Sequence, residues 1–491
     1  MTSVTIRRRP VQVSDPLDCL VALREVVGKS SAFLFESLAG PSIDTRNSLI
    51  GITGLLEISV YRGRVTLKGL PEVRQRTHAA LLEAGVVRVL EEELVLCDDD
   101  ALWRLPRAVD AVFDFERDPD EFGFGLLVYY GYDAVRYIEQ LPRTIPDGDD
   151  PVPDAIFSLV HGLVKVDLET SSAVVTIAES QLWSGPDIDR LVQRIEAATG
   201  SEHAEDIDPV PVPLPIAVTD DVDEAEFVRR ANTCLDHIRV GDIYQVQLGH
   251  EITVNTDADH MDVYRRLRWR NPSPYMCLLP IADRVVVGAS PELFVRAGRG
   301  TVTMRPIAGT ARRHESEEEN ARAVQDLLAD PKERAEHIML VDLCRNDLGR
   351  IAEPMSVDVP DLMVIETYSH MFHLVSNVSA RAQAQYDVYD VIRASFPAGT
   401  MTGAPKVRAM EIIEGLEASR RGLYAGSFGI IGFGGWSILG LAIRMAVHSE
   451  GSYSLRASAG VVADSVPSNE WRETLTKLGA TYWAVTGGEL E

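Results

Sequence analysis

Residues 330–350 read DPKERAEHIMLVDLCRNDLGR, and residues 464–474 read DSVPSNEWRET. Each carries two glutamates spaced i,i+3, Glu333 with Glu336 and Glu470 with Glu473. Residues three apart on a helix are neighbours, so a helical reading places each pair on one face. An acidic pair at this spacing is also common on any solvated helix. Four carboxylates drawn together from two distant segments would repel one another unless a hard divalent cation sat between them, and Mg²⁺ takes oxygen ligands of this kind. A magnesium site serving an anionic substrate is therefore one reading of the pattern, and solvated helix faces are the reading that spacing alone favours.

The chain has 491 residues, 45% hydrophobic and 25% charged, enough for a large core and ordinarily for two or more domains. Its net charge of -26 opposes nucleic acid and anionic membrane, both polyanionic. No run approaches the roughly 18 apolar residues of a membrane helix, and MTSVTIRRRPVQVSD has no apolar core to act as a signal peptide, so a cytoplasmic location is expected. Five cysteines, Cys19, Cys97, Cys234, Cys277 and Cys344, show no CxxC spacing and are odd in number, which suits reduced thiols.

Residues 201–226, within SEHAEDIDPVPVPLPIAVTDDVDEAEF, are acidic and proline-rich and read as a connector. They separate an N-terminal region, 1–200, from a region 227–491 that holds both glutamate pairs. Before the connector, strand-like runs such as LLEISVYRGRVTL and AIFSLVHGLVKVDL alternate with a helical pattern in VRQRTHAALLEAGVVRVLEE at 73–92. After it come a helix in AEFVRRANTCLDHIRVG and strands in IYQVQLGHEITV, RVVVGAS, TVTMRPIAG, GSFGIIGFGG and LGLAIRMAVHS. The class is α+β, and the short glycine-bearing turns suggest antiparallel pairing.

From Gly241 onward an ordered series of phrases resembles the chorismate-utilising enzymes, most closely component I of anthranilate synthase. They are GDIYQVQL at Gly241, NPSPYM at Asn271, GASPELFVR at Gly288, RPIAGTARR at Arg305, the 330–350 stretch, ETYSHMFHLVS at Glu366, FPAGTMTGAPKVRAMEII at Phe396 and AGVVADSVPSNEWRET at Ala459. FLFES at Phe33 and GYDAVRYIEQLP at Gly131 extend the likeness into the N-terminal region. The resemblance implies two stacked antiparallel β-sheets flanked by helices, with N-terminal elements interleaved into the same body.

It also implies roles. Glu333, Glu336, Glu470 and Glu473 would hold Mg²⁺, which would bind the ring carboxylate of chorismate. Glu292 resembles the general acid that protonates the leaving hydroxyl, a role requiring a raised pKa. Arg444 and Tyr424 resemble the pair on the enolpyruvyl carboxylate, where a guanidinium makes two parallel hydrogen bonds. Gly309, Thr310, Ala459 and Gly460, with Thr400 and Lys406, complete the expected substrate contacts. His373 matches the position used in eliminating pyruvate. Glu36, Ser37, Asn271, Pro274, Tyr275 and Met276 resemble tryptophan-binding effector segments.

The nucleophile is read at two positions. Relatives that add water carry a lysine where this chain has Gln245, and relatives making 4-amino-4-deoxychorismate commonly carry one where it has Ala308. Both absences favour ammonia attacking ring carbon 2, giving 2-amino-2-deoxyisochorismate, from which loss of pyruvate would give anthranilate. No cysteine sits in a nucleophile elbow, so ammonia is expected from a separate glutamine amidotransferase subunit. The first reading is an anthranilate synthase large subunit. Its main alternative is a synthase of specialised metabolism that stops at 2-amino-2-deoxyisochorismate, because Ile430, Ile438, Leu439, Ser458 and Thr476 depart from the anthranilate synthase pattern, changes expected to lie near the pocket. Aminodeoxychorismate synthase is disfavoured by Ala308, and a non-catalytic sensor by the intact quartet with Glu292.

Overall fold

Strand 32–36 and strand 275–281, far apart in the chain, are hydrogen-bonded neighbours, with Met276 opposite Glu36 and Leu278 opposite Leu34. The computed structural model describes residues 1–41, 46–148, 151–170, 172–198, 211–368 and 371–490. Two sheets organise these residues, and each draws strands from both sides of residues 201–226. In the first, strands 245–255, 452–461, 445–449, 284–290 and 275–281 run into the N-terminal strands 32–36, 47–52, 162–167, 172–180 and 2–11. In the second, strands 307–312, 371–381, 301–304, 293–298, 437–441 and 427–432 run into 125–130, 155–160, 56–61 and 64–69. All of these pairings are antiparallel.

The sheets stack through an apolar layer. Phe33, Leu163, Cys277, Leu279 and Val286 of the first meet Leu127, Tyr129, Ile156, Phe428 and Ile430 of the second. The outer faces are covered by helices: Leu20, Leu23, Leu267 and Leu478 pack on the first sheet, and Leu102, Leu105, Val341 and Ile392 on the second. This is the α+β architecture of two stacked sheets flanked by helices, in which each apolar face finds a partner layer.

Three sequence expectations change. The helical pattern over 73–92 ends at Glu83, because Gly85 takes a positive φ of 62, and Val87–Leu90 and Glu93–Leu96 form a hairpin instead. The connector does not run to residue 226 as a single extended segment. Residues 201–210 lie outside the described residues, Ala217–Asp220 already pairs with the strand ending at Asn255, and helix Glu224–Arg239 begins once the Asp223 side chain accepts from Glu226 N–H at 2.8 Å. The run LGLAIRMAVHS is two strands in different sheets, Ser437–Leu441 and Met445–Ser449, and Arg444 stands in the break with φ 55. Its period could not reveal this, since a change of sheet leaves both halves apolar.

Candidate active site

Both glutamate pairs lie at the N-terminal ends of helices. Helix Pro331–Gly349 has proline in its first turn and Asp330 as N-cap, accepting from Lys332 N–H and Glu333 N–H at 2.8 and 3.2 Å. Helix Pro467–Thr486 likewise starts with proline and carries Glu470 in its first turn. The positive ends of two helix dipoles therefore bear on four carboxylates. His337 locks the first helix in place: Nδ1 contacts the Ala308 carbonyl at 3.1 Å and Nε2 the Ser376 hydroxyl at 2.7 Å.

The two helices bring the pairs into electrostatic contact. Glu333, Glu336 and Glu470 all have pKa values raised first by burial and then by carboxylate neighbours, Glu473 being one of them in each case. Glu333 Oε2 approaches the bare Cα of Gly309, where an added Cβ would lie 3.2 Å away, and Glu336 Oε1 lies 3.7 Å from the same point at Gly460. The quartet thus reaches from strand 307–312 of one sheet to strand 452–461 of the other.

The donor set fits Mg²⁺: hard oxygens in mutual repulsion, with Gly309 and Gly460 leaving room beside them. The oxygens do not converge into a closed cage, which an ion that keeps several of its waters does not require. A tighter cluster of ligand-type side chains, Asp220, Asp221 and His250, lies elsewhere with its atoms within 4.8 Å of one another. It is already satisfied internally, His250 reaching Asp220 and Thr474 at 2.8 Å each.

Glu292 lies on the loop between strands 284–290 and 293–298 and is 8% exposed. Burial raises its pKa to about 8, and the Thr400 hydroxyl, donating to Oε1 at 3.1 Å, and the Lys477 ammonium both oppose the rise. A neutral carboxyl at neutral pH is a proton donor. His373 pairs with Thr310 across neighbouring strands, its Nδ1 3.0 Å from Thr310 Oγ1. Burial, with Arg444 nearby, lowers its pKa to about 4, although a backbone hydrogen bond at Gly309 opposes this. The ring is therefore neutral at neutral pH and able to accept a proton.

Arg444 donates from Nη1 to the Lys477 carbonyl at 2.7 Å, and among the described residues it forms no salt bridge. Desolvation lowers its pKa, opposed by the nearby Tyr424 and Glu473. A desolvated guanidinium without a carboxylate partner is prepared for an anion. Tyr424 places its hydroxyl 2.7 Å from Ser458 Oγ. Ala459 and Gly460 follow Ser458 on strand 452–461, opposite Leu248 and Gln247.

Gln245 donates from Nε2 to Glu336 Oε1 at 2.9 Å. Lys406 is committed elsewhere: its ammonium sits on Asp347 at 2.8 Å and on the Ser395 carbonyl at 3.1 Å, tying the Thr400 segment to helix Pro331–Gly349. Lys477, which the sequence reading passed over, donates to the Ser458 carbonyl at 2.9 Å and pairs with Glu473 at 2.6 Å. Its i,i+4 spacing from Glu473 was the available signal, indistinguishable from a surface pair.

Among the departures from the pattern, Ile430 and Leu439 are fully buried in core layers, Ile438 packs against one, and exposed Thr476 bonds back to the Arg472 carbonyl. Ser458 is the departure whose hydroxyl contacts a candidate site residue, Tyr424. The effector candidates do gather, since Ser37 Oγ donates to the Pro274 carbonyl at 2.8 Å and strands 32–36 and 275–281 pair. Asn271 closes helix His260–Arg270 at its C-terminal end, and Tyr275 and Met276 are buried in the adjoining strand.

This constellation of a carboxylate quartet, a neutral buried glutamic acid and an arginine without a salt-bridge partner among the described residues suits an enzyme acting on a carboxylate-bearing substrate. A sequence profile described as chorismate binding enzyme matches residues 78–482, and the chain belongs to that family, on the anthranilate synthase component I pattern. It is 48% identical to a 2-amino-4-deoxychorismate synthase of Streptomyces globisporus, over 99% of this chain and 97% of that one. It is 34% identical to anthranilate synthase component 1 of Acinetobacter calcoaceticus, over 98% and 94%. The crystal structure of anthranilate synthase component I from Streptococcus pneumoniae TIGR4 superposes with a TM-score of 0.71 at 30% identity, covering 90% of this chain and 93% of that one.

Proposed function

We propose that this enzyme aminates chorismate at ring carbon 2 with loss of the 4-hydroxyl and releases 2-amino-2-deoxyisochorismate. In chorismate numbering that compound is 2-amino-4-deoxychorismate, the product named for the Streptomyces globisporus relative. The observation that carries the amination is at the two nucleophile positions. Gln245 is an amide bound to Glu336, and Ala308 offers only a methyl group and a carbonyl held by His337. Neither can activate water or attack the ring, which leaves ammonia as the nucleophile.

Chorismate would lie with its enolpyruvyl carboxylate at Arg444 and its ring carboxylate toward Glu333, Glu336, Glu470 and Glu473. Those four would hold Mg²⁺, which when bound supplies positive charge to the ring carboxylate. Glu292, neutral at working pH, donates its proton to the departing 4-hydroxyl. Thr400 keeps that carboxyl oriented through its hydrogen bond to Oε1.

Ammonia is assigned to a separate glutamine amidotransferase subunit. Four of the five cysteines are buried, and burial raises the thiol pKa of Cys19, Cys234, Cys277 and Cys344, which is the opposite of an activated nucleophile. No helix among the described residues is long and apolar enough to cross a membrane.

One observation favours a second reading, anthranilate formation. Burial lowers the His373 pKa to about 4, so a neutral ring would be available to take the proton from carbon 2 as pyruvate leaves carbon 3. Incubation of the purified chain with chorismate, Mg²⁺ and ammonium separates the two. An aminated product that keeps its enolpyruvyl group supports the first reading, anthranilate with equimolar pyruvate the second, and unconsumed chorismate overturns both.

A further inference from the structure

Ser458 is 1% exposed and stands where the anthranilate synthase pattern has glycine. Its Cβ packs over the bare Cα of Gly249 on the neighbouring strand, where a second Cβ would come within 3.1 Å of it. This packing holds its hydroxyl between two groups. Ser458 Oγ donates to Gln247 Oε1 at 3.0 Å and lies 2.7 Å from the Tyr424 hydroxyl.

A serine has one hydroxyl proton, and a carbonyl oxygen can only accept. Once Ser458 donates to Gln247, the contact with Tyr424 has one direction left: the phenol donates to Ser458. Burial raises the Tyr424 pKa, so the phenol keeps its proton. That proton is then spent inside the protein, and Tyr424 presents only lone pairs, which a carboxylate repels.

We propose that Ser458 is a positioning residue that captures the Tyr424 proton, weakening the hold on the enolpyruvyl carboxylate so that the aminated product leaves before pyruvate is eliminated. The inference rests on the chorismate-aminating reading above. It explains how His373 can remain in place without anthranilate being the main product: departure outruns abstraction of the carbon 2 proton. With glycine at 458, the phenol is free to donate to the substrate and the intermediate is held longer.

The test is a double-mutant comparison of the unmodified chain, Tyr424→Phe, Ser458→Ala and the double variant. Chorismate KM and the ratio of pyruvate to aminated product are followed with Mg²⁺ and ammonium. In the unmodified background Tyr424→Phe should raise KM by less than about 3-fold; in the Ser458→Ala background it should cost on the order of 10-fold, because the phenol then carries a bond to substrate. Pyruvate per aminated ring should rise in Ser458→Ala. Ser458→Gly, which restores the residue of the family pattern, should behave the same way if the alanine variant melts abnormally. Equal Tyr424→Phe penalties in both backgrounds, with an unchanged pyruvate ratio in folded variants, would overturn the proposal. Failure of the unmodified chain to consume chorismate would instead overturn the functional reading, and this inference with it.

Discussion

Gln245 and Glu336 are joined by a 2.9 Å hydrogen bond from the glutamine amide to a carboxylate oxygen of the quartet. The residue at the position of the water-activating base is thus a neutral prop for a metal-ligand candidate. Gln245→Lys would put an ammonium against Glu336 and compete with the cation there. The expected outcome is roughly a 10-fold rise in the Mg²⁺ concentration giving half-maximal turnover, the equivalent of one close charge pair. A Mg²⁺ titration at saturating chorismate reads it, and an unchanged midpoint would mean that Glu336 does not face the metal.

Glu292, with a pKa raised to about 8 by burial, is the proposed acid. As an acid it must be protonated, so kcat/KM should fall as pH rises through about 8. Thr400 donates to the ionised form and so lowers the pKa. Thr400→Val should therefore move this limb to higher pH, while Glu292→Gln should lose about 10²- to 10⁴-fold in turnover and keep chorismate binding.

The same shift is a statement about stability. A group whose pKa is raised on folding contributes stability that is whole below its unfolded value and is lost as pH rises through its folded value. The melting temperatures of Glu292→Gln and the unmodified chain should coincide in acid, and the variant should gain progressively up to about pH 8. Parallel curves across that range would show that the Glu292 pKa is not raised on folding.

Glu333, Glu336 and Glu470 are each raised by burial and by neighbouring carboxylates, so a cation among them relieves a repulsion that grows as they ionise. Added Mg²⁺ should raise the melting temperature more at mildly alkaline than at acidic pH, and chelation should abolish turnover reversibly. Replacing any one of the four with glutamine should raise the Mg²⁺ requirement by roughly 10-fold or more. A thermal shift indifferent to Mg²⁺ at every pH would remove the metal from the quartet.

That each glutamate pair shares a helix face was legible from the spacing, and proline marks both helix starts, at Pro331 and Pro467, but the grouping of the four into one site came from the surrounding phrases, since spacing alone reads equally as a solvated face. Glu292 and His373 were legible only through the surrounding phrases, since nothing local marks a glutamate after proline as desolvated. The position of Arg444 was hidden, because the chain changes sheets inside an apolar run and the arginine takes a left-handed φ of 55 at the crossing. The direction of the Tyr424 to Ser458 hydrogen bond depends on Gln247, across a strand pairing that no local pattern encodes. His337 did carry a signal, lying four residues from Glu333 on the same helical face, but a lone histidine in an apolar stretch reads as core.

The effector segments assemble into a spot that is already filled. Glu36 is 1% exposed, and its carboxylate accepts from Arg268 at 2.8 and 3.1 Å and from the Tyr264 hydroxyl at 2.7 Å, while Arg268 also reaches Asp15. An amino-acid effector needs a carboxylate for its ammonium group, and this one is spent. Phe35, the preceding residue on the strand, faces the other way and stacks on Phe428 at 5.9 Å in the layer between the sheets. Millimolar tryptophan should therefore leave chorismate turnover unchanged, and clear inhibition at micromolar tryptophan would show that the Glu36 cluster opens. Arg268→Leu should destabilise the fold by about 3–5 kcal/mol, because it strands a buried carboxylate, whereas a combined Glu36→Leu and Arg268→Leu change should recover most of that loss. Denaturant melts of the two variants test this, and equal stability would mean that Glu36 finds other compensation and that the Arg268 pairing does not close the site.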